Sequence, residues 1–398
     1  MELLAPAGNL EKLKWAAVYG ADAVYFGTEF GSLRSYAGNF SLEDAEAGLK
    51  YLHEHGKKGY ITLNIYPFSD EFPRIVELVR RLDEMGADAF IVADLGVLFA
   101  LRELNLKAKI HISTQASTTN GRSVLAYGEL GASRVNLARE LSLEQIQDVQ
   151  TEVGTRVETE VFIHGAVCFS YSGRCAISDY LTGHRANRGE CKQPCRWKYE
   201  LVEEKRPGKV MPYFEDERGS YFFNSRELAL FEFVPRLKAA GVSSIKIEGR
   251  MKSIHYIAAT VSFYRKIIDG WQVGQEEALI ILSRIPNRGY SQGFMKGSIN
   301  ADDYQQDESR SHCESTFVGN VLELREDGRT VLEVRNKITA GETLEILRPD
   351  GSFGEITMPD SLLTTEDENV LVVNNSKFLV LEISLPAYSV LRRLVPMG

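Results

Sequence analysis

Four of the five cysteines lie within 28 residues, as Cys168, Cys175, Cys191 and Cys195, with the spacing C-x6-C-x15-C-x3-C. Clustered thiols in a chain without an export signal indicate metal or redox chemistry rather than structural disulfides. Structural zinc sites usually use cysteine pairs that are closer in sequence than Cys168 and Cys175. A spread set of four thiolates suits an iron-sulfur cluster about as well as it suits zinc, or better. The spacing favours an iron-sulfur cluster, with zinc and unliganded thiols as alternatives. Cys313 has no companion and is expected to be an ordinary thiol.

Two patterns that could indicate a hydrolase are weaker signals than the four cysteines. Cys168 lies four residues after His164, but the base of a cysteine peptidase is usually distant in sequence and is placed by the fold. Ser178 near His184 lacks the G-x-S-x-G turn of a serine nucleophile, and neither an H-E-x-x-H motif nor a phosphate loop is present. A peptidase therefore stays an alternative without a recognisable catalytic constellation.

A basic and aromatic segment lies between and after the clustered cysteines. Its members are His184, Arg185, Arg188, Lys192, Arg196, Trp197, Lys198 and Tyr199. Cations contact phosphates, and aromatic rings stack on bases. We call this segment the basic loop. It is either an RNA contact, with Arg188, Lys192 and Trp197 as candidate contact residues, or a solvated charged surface.

The elements that position these residues follow one repeated pattern. Four times, a helical pattern ends in a small cap with glycine (YGAD, MGAD, LGAS, AGVS) and an apolar run follows at once. Glycine supplies the positive φ that ends a helix, and a continuous apolar run suits a strand buried on both faces. The runs LLAP, AVYF, YITL, AFIV, KIHI, RVNL, VETEVFI and SIKI give about eight strands in about 250 residues, which predicts a (β/α)8 TIM-type barrel. A doubly wound open sheet is the competing fold. YFFN, from Tyr221 to Asn224, is a surplus segment whose place in the barrel order stays undecided.

Polar side chains follow several of these runs. Barrel enzymes place their chemistry at the carboxyl ends of the strands, although a single polar residue there more often just begins a solvated loop. Gln115, His164 and Glu248 are the candidate catalytic residues, because they lie at or just after predicted strand ends. Arg139, Lys246 and Arg250, at the same ends, are candidate substrate-binding residues.

From about Thr316 the pattern changes to short alternating strands. Asp-Gly at 327 and 350 and Asn-Asn-Ser at 374 punctuate the runs as hairpin turns. They predict a small antiparallel β-barrel, and the stretch before it begins as an amphipathic helix, SIHYIAATVSFYRKII. The predicted organisation is a barrel over 1–285 with a cysteine-rich insertion at about 165–200, a connector over 286–310 and a C-terminal domain over 311–398.

Composition limits the class of protein. The chain has 398 residues, a hydrophobic fraction of 44% and no low-complexity tract, which is typical of a folded two-domain protein. With no signal peptide and no membrane span, we expect a soluble, cytoplasmic protein. The net charge of −9 confines any nucleic-acid contact to a local basic patch.

Beyond these patterns, the chain resembles a known family. The run EVFIHGAVCFSYSGRCAIS, from Glu160 to Ser178, is similar position by position to the signature of the collagenase-like peptidases, family thirty-two of the unassigned-type peptidases. LLAPAGN, GADAVYFG, HISTQ, LARELS and IKIEGRMKS resemble its other blocks, and the terminal β-domain resembles its longer members. The resemblance covers nearly the whole chain.

The resemblance implies a function that differs from the family's name. Members of this type are iron-sulfur proteins that hydroxylate without dioxygen, acting on the tRNA wobble uridine, on a cytidine of 23S rRNA or on quinone precursors. The terminal β-domain is most similar to that of members that make 5-hydroxyuridine in tRNA with prephenate as cosubstrate. The resemblance further implies that the four clustered cysteines hold a [4Fe-4S] cluster, loaded by the iron-sulfur assembly machinery. An rRNA hydroxylase and a peptidase remain the alternatives.

A dicarboxylate such as prephenate needs local cations, since the chain as a whole is acidic. Arginine suits this task because its planar fork donates two parallel hydrogen bonds to a carboxylate. Arg139 and Arg250 are therefore predicted to bind it at the carboxyl end of the barrel. The alternative is that each forms a structural ion pair with its neighbour, Glu140 or Glu248.

Overall fold

The computed structural model describes residues 1–32, 39–167, 177–183, 192, 194, 201–202, 210–211, 214–216, 219–221, 226–297, 312–375 and 377–395. Its first part is a closed barrel of eight parallel strands, because the strand Ser244–Ile247 pairs with both Glu2–Pro6 and Glu158–Gly165. The strands are β1 Glu2–Pro6, β2 Ala23–Phe26, β3 Lys58–Leu63, β4 Ala89–Val92, β5 Lys109–Ile112, β6 Arg134–Asn136, β7 Glu158–Gly165 and β13 Ser244–Ile247. The predicted TIM-type barrel is confirmed, and the closure excludes the open doubly wound sheet.

Helices alternate with these strands. They are α1 Leu10–Val18, α2 Leu42–Glu54, α3 Phe72–Glu84, α4 Leu95–Glu103, α5 Gly121–Glu129, α6 Leu143–Val153, α7 Ile177–Thr182 and α8 Val234–Ala239. Serine side chains cap two of the starts: Ser41 Oγ accepts from the amide of Asp44, and Ser142 forms a capping box with Gln145. Glycines with positive φ stand at the four predicted helix-to-strand turns, Gly20, Gly86, Gly131 and Gly241. Among the described residues, no helix has the length and apolar character needed to cross a membrane.

The barrel interior has an apolar side and a polar side. Buried side chains from β1 to β4 form an apolar cluster of Leu4, Ala23, Tyr25, Tyr60, Ala89 and Ile91. The strands β5, β6, β7 and β13 instead contribute the buried polar residues His111, Arg134, Asn136, Glu160, Ser244 and Lys246. Polar groups buried in this way need partners to offset their desolvation, so this side of the barrel is held by a hydrogen-bonded network.

Short strands lie between β7 and β13. They are β8 Leu201–Val202, β9 Val210–Met211, β10 Phe214–Asp216, β11 Gly219–Tyr221 and β12 Glu227–Ala229, followed later in the chain by β14 Tyr290–Ser291. β12 runs antiparallel to the end of β7 and parallel to β14, whereas β11 pairs with β10. The start of the surplus YFFN segment therefore lies in a separate hairpin and not in the barrel, and its remainder, 222–224, falls outside the described residues.

The C-terminal strands form an antiparallel sheet. They are β15 Ser315–Leu324, β16 Thr330–Val334, β17 Ile338–Thr339, β18 Thr343–Leu347, β19 Phe353–Thr357, β20 Leu362–Thr364, β21 Asn369–Val370, β22 Val372–Val373, β23 Lys377–Leu381 and β24 Val390–Leu394. Eight of them make one sheet in the order β19-β18-β24-β15-β16-β23-β20-β21 around an aliphatic core.

Two of the three predicted hairpins are confirmed. β15 pairs with β16 across the turn at Asp327, and β18 pairs with β19 across the turn at Asp350. The hairpin expected at Asn374 is wrong: β22 pairs with β17, and β23 pairs with β16 and β20. Alternating side chains predict a strand but do not choose its partner.

Close contacts divide the chain into two units. One comprises 1–17, 21–252 and 288–311, and the other comprises 18–20, 253–287 and 312–398. The second unit thus contains two helices, α9 Ile254–Ile268 and α10 Gln275–Ser283. Every α9 residue except Arg265 and Lys266 is buried, so this helix is apolar nearly all round and not amphipathic as expected. The domain boundaries predicted at 285 and 310 differ from the limits of these two units and remain a prediction.

Candidate functional site at the carboxyl end of the barrel

Three of the segments that resemble the family, LLAPAGN, GADAVYFG and IKIEGRMKS, meet at Arg250. This residue is only 5% exposed, and its Nη1 donates to Thr62 Oγ1 at 3.2 Å. A Cβ on Gly27 would lie 2.4 Å from that Nη1, and a Cβ on Gly8 would lie 2.2 Å from the main-chain oxygen of Arg250. The glycines of LLAPAGN and GADAVYFG are therefore needed because the Arg250 segment packs directly against them.

Glu248 is held next to this arginine. Tyr25 Oη lies 3.0 Å from Glu248 Oε2, and the amide of Gly249 donates to the same oxygen at 2.8 Å. Burial and the nearby Glu248 charge raise the pKa of Tyr25 well above its ordinary value, so this phenol stays protonated and acts as a donor. The carboxylate is thereby fixed in one orientation at the end of β13.

Arg139 and Lys246 approach the same aromatic ring. The guanidinium carbon of Arg139 lies 3.9 Å from the Phe162 ring centroid, and Lys246 Nζ lies 5.2 Å from it. Lys246 Nζ is also 4.3 Å from the Tyr25 ring centroid. We call Tyr25, Arg139, Phe162, Glu248 and Arg250 the mouth cluster. The structure brings four of the predicted residues, Arg139, Lys246, Glu248 and Arg250, to this region.

Gln115 belongs to a neighbouring polar group. Its Oε1 accepts from Asn64 Nδ2 at 2.8 Å, and its main-chain oxygen accepts from Tyr66 Oη at 2.9 Å. Both partners follow β3, whereas Gln115 follows β5. Because Asn64 donates to the side-chain oxygen of Gln115, the orientation of the Gln115 amide is fixed at the mouth.

At the opposite, amino end of the strands lies a network that sequence reasoning missed. Arg134 Nε donates to Glu158 at 2.8 Å, and its Nη1 contacts Glu2. Glu2 also accepts from Tyr60 Oη at 2.8 Å and lies 3.6 Å from Lys58 Nζ. We call these five residues the amino-end cluster. Glu2 and Arg134 are 132 residues apart, so only the alternation of side chains along two strands hinted that both point inward.

Glu160 connects this cluster to Lys246. Its carboxylate lies 3.3 Å from Lys246 Nζ and 3.6 Å from Arg134 Nη1. It also accepts from Asn136 Nδ2 at 2.8 Å and from Ser244 Oγ at 3.0 Å. Lys246 thus reaches downward from the mouth into the polar side of the barrel.

His164 adjoins the mouth cluster through its main chain, because its carbonyl oxygen accepts from the amide of Glu248 at 2.9 Å. The residue is 1% exposed, its ring centroid is 5.5 Å from that of Tyr290, and its strand partners are Ile247 of β13 and Ala229 of β12. Burial and the charge of Lys252 lower the pKa of His164 to about 3, so the imidazole is neutral at physiological pH. Its assignment as a catalytic residue stays a prediction.

The four clustered cysteines, Cys168, Cys175, Cys191 and Cys195, lie outside the described residues, as do Arg188 and Trp197. Positions close to them in sequence are described. β7 ends at Gly165, three residues before Cys168, and the amide of Lys192 donates to the buried Ser178 Oγ at 3.2 Å. Lys192 follows Cys191 directly, and Ser178 lies three residues after Cys175. Elsewhere in the chain, the Sγ of Cys313 donates to the main-chain oxygen of Ser315 at 2.9 Å.

Two aromatic residues and a hydroxyl of the site also escaped prediction. Tyr25, Phe162 and Thr62 lie within apolar runs and look like ordinary core residues in the sequence. The signal that would have found them is strand periodicity, since each occupies an inward position in the carboxyl-terminal half of its strand. Aromatic residues at such positions can line a ligand site as well as fill a core.

Comparison with known proteins identifies the family. The profile of Peptidase family U32 matches residues 8–305, and that of the Peptidase family U32 C-terminal domain matches residues 314–392. The chain is 36% identical over 396 residues to tRNA hydroxylation protein P of Escherichia coli (strain K12), covering 88% of this chain and 87% of that protein. It is 38% identical over 356 residues to tRNA hydroxylation protein P1 of Bacillus subtilis (strain 168), covering 88% and 84%. It is 37% identical over 270 residues to the 23S rRNA 5-hydroxycytidine C2501 synthase of Escherichia coli (strain K12), covering 68% of this chain but 39% of that protein. The chain therefore belongs to Peptidase family U32.

Proposed function

We propose that this protein is an iron-sulfur enzyme that hydroxylates the wobble uridine of tRNA to 5-hydroxyuridine, without dioxygen and with prephenate as cosubstrate. One observation carries the proposal: relatives named tRNA hydroxylation proteins match over 84% to 87% of their own length, with 36% to 38% identity. Such extended similarity includes both the barrel and the C-terminal domain.

The same comparison favours tRNA over rRNA as the substrate. The rRNA synthase shares only 39% of its length with this chain. The matches with the tRNA hydroxylation proteins cover 84% to 87% of their length instead. Hydroxylation of a 23S rRNA cytidine is therefore the second candidate.

Four thiolates, from Cys168, Cys175, Cys191 and Cys195, would hold a [4Fe-4S] cluster. The donor set fits such a cluster in number and type, and the hydrogen bond from Lys192 to Ser178 supports a shared site, because it joins segments next to two of the cysteines. When bound, the cluster supplies a redox or Lewis-acid centre at the mouth of the barrel. Iron and acid-labile sulfide in anaerobically purified protein support the cluster, whereas zinc without sulfide identifies the alternative metal.

Prephenate binding is assigned to the mouth cluster. Arg139 and Arg250 would pair with its carboxylates, since guanidinium groups bind carboxylates in a bidentate manner. Glu248 and Gln115 are held by hydrogen bonds from Tyr25 and Asn64, so both are preorganised to orient a substrate or to accept a proton from it.

The basic loop is assigned to the RNA. Lys192 is exposed, and Arg188 and Trp197 lie within five residues of it in sequence. With a net charge of −9, the chain depends on such a local patch for phosphate contacts. Contact with the anticodon stem-loop would bring the wobble base toward the cluster.

Nucleoside mass spectrometry of RNA from a strain lacking the gene tests the proposal. We expect 5-hydroxyuridine and its derivatives to disappear from tRNA and to return with the intact gene. Loss of 5-hydroxycytidine from 23S rRNA, with tRNA unchanged, would support the second candidate. Gelatin cleavage by the protein after removal of the metal would instead support a peptidase.

A further inference from the structure

Lys246 occupies an unusual place for a lysine. Its residue is 4% exposed, and its Nζ lies inside the barrel beside the ring faces of Tyr25 and Phe162, at 4.3 Å and 5.2 Å from the centroids. Lysine is rarely buried to this extent unless it is paired or used in chemistry. The only acidic group within 4 Å of Nζ among the described residues is Glu160, at 3.3 Å.

A purely structural ion pair explains these contacts only in part. Glu160 also accepts from Asn136 and Ser244 and lies 3.6 Å from Arg134, so its charge is already shared among several donors. Burial lowers the pKa of Lys246, and the neighbouring Glu160 raises it without offsetting that effect. The neutral amine, which is the nucleophilic form, is therefore more accessible here than on an exposed lysine.

We propose that the Lys246 amine forms an imine with the keto carbon of a 2-oxo acid, and so holds this cosubstrate covalently inside the barrel. The proposal rests on the proposed function, since prephenate is a 2-oxo acid. It adds to that function a reactive group and a chemical class of ligand.

The step balances with the groups in place. Glu160, at 3.3 Å, takes one proton from the ammonium of Lys246. The neutral nitrogen then attacks the keto carbon, and a C–N bond forms. Glu160 gives that proton to the oxygen, takes a second proton from the nitrogen and passes it to the resulting hydroxyl, which leaves as water as the C–O bond breaks. The net reaction joins one ammonium and one ketone to give one protonated imine and one water, with no change in oxidation state.

The surroundings suit a 2-oxo acid. Its carboxylate is bonded directly to the keto carbon, so a cation must lie close to the amine. Arg139 is the candidate cation, because its guanidinium carbon lies 3.9 Å from the centroid of Phe162, the ring that Lys246 also approaches, and its charge acts on the Lys246 amine. The rings of Phe162 and Tyr25 exclude water from the nitrogen, which favours the imine over its hydrolysis.

Reductive trapping tests the proposal. Anaerobically purified holoprotein is incubated separately with prephenate, phenylpyruvate and pyruvate, reduced with sodium cyanoborohydride and examined by intact mass and peptide mapping. We expect one adduct per chain, located at Lys246, with at least one of the three acids. Absence of an adduct with all three, or adducts scattered over exposed lysines, would overturn the proposal.

Two variants sharpen the result. Lys246→Arg keeps a cation next to Glu160 but cannot form an imine, so trapping should fall by about tenfold or more. Lys58→Arg is the matched control: Lys58 is also paired with a glutamate, Glu2, but its side chain is 57% exposed at the amino end of the barrel. Trapping in this control should equal that of the wild type.

The outcome is separate from that of the proposed function. An adduct at Lys246 in a protein that does not modify tRNA would uphold the imine and refute the RNA substrate. Hydroxylated tRNA without any adduct would uphold the function and refute the imine. Because the wild-type chain alone gives the location of the adduct, the test does not depend on the folding of a variant.

Discussion

The two ends of the barrel use charge differently. At the amino end, Arg134 donates directly to the carboxylates of Glu158 and Glu2, and the lysine of β3 adds a second cation to Glu2. At the carboxyl end, the contacts of the charged groups include ring faces, a hydroxyl and a main-chain amide: Arg139 lies over Phe162, and Arg250 donates to Thr62. The amino-end contacts join charged groups of distant strands to one another inside the barrel. The contacts at the carboxyl end orient charged groups at the mouth, where barrel enzymes bind their ligands.

Replacing Arg134 with Ala tests the amino end and should have the largest effect on stability. The change leaves Glu2, Glu158 and the buried Glu160 without their shared cation, and loss of one partner of a buried ion pair costs about 3–5 kcal/mol. Urea unfolding measures it. Arg265→Ala, which removes a surface pair with Asp269, is the control, with an expected loss of about 0–1 kcal/mol. Equal losses in both variants would show that the amino-end cluster is not a special stabilising element.

Replacing Arg139 or Arg250 with Lys tests the mouth. Each variant keeps its charge but loses the bidentate fork, so we expect unchanged fold and cluster content and a prephenate requirement raised by about tenfold or more. Titration of prephenate against tRNA hydroxylation measures the change. Unchanged dependence in both variants would mean that these arginines serve as structural ion pairs with Glu140 and Glu248.

Two glycine substitutions distinguish displacement of the Arg250 main chain from displacement of its side chain. Alanine at Gly27 collides with the Arg250 guanidinium and with the Ser32 side chain, whereas alanine at Gly8 collides with the main-chain oxygen of Arg250. Both variants should weaken prephenate use, and Gly8→Ala should destabilise the fold more, by about 1–3 kcal/mol, because a main-chain atom must move. Gly274→Ala, where a Cβ meets nothing within 4 Å, is the control. Identical thermal stability of the Gly8 and Gly27 variants would contradict this packing.

A smaller effect is expected from pH. Burial raises the pKa of Glu2, but the hydrogen bond and charge of Arg134 outweigh it, so the folded-state pKa lies below the ordinary 4.5. The stabilisation by Glu2 is therefore present above this ordinary value and is lost as the pH falls through the folded-state pKa. The stability difference between wild type and Glu2→Gln should shrink on going from about pH 6 to about pH 3. A difference that stays constant over this range would show that the carboxylate charge is not what stabilises the cluster.

The fold was largely predictable because its signals are local. Each apolar run became a strand, and Gly20, Gly86, Gly131 and Gly241 ended their helices with positive φ, as chirality requires. The pairing of β22 with β17 was not predictable, since it depends on packing between distant segments. The same limit hid the amino-end cluster.

The candidate site was predictable in outline only. Arg139, Glu248 and Arg250 follow strands, so their place at the mouth is a consequence of barrel topology. Lys246, two residues before Glu248, lies within β13 and reaches Glu160 in the barrel interior. Its side chain points inward because side chains alternate between the two faces of a strand. The roles of Tyr25 and Phe162 depend on which side chains their rings meet across the barrel, and no local pattern encodes this.

The most direct test of the central claim is hydroxylation in vitro by cysteine variants. Anaerobically reconstituted protein is incubated with prephenate and unmodified tRNA, and the nucleosides are separated by mass. We predict 5-hydroxyuridine with wild type and with Cys313→Ala, and none with Cys191→Ala or Cys195→Ala, which should also lose iron, sulfide and colour. Full 5-hydroxyuridine formation by a cluster-free Cys195→Ala protein would contradict the account.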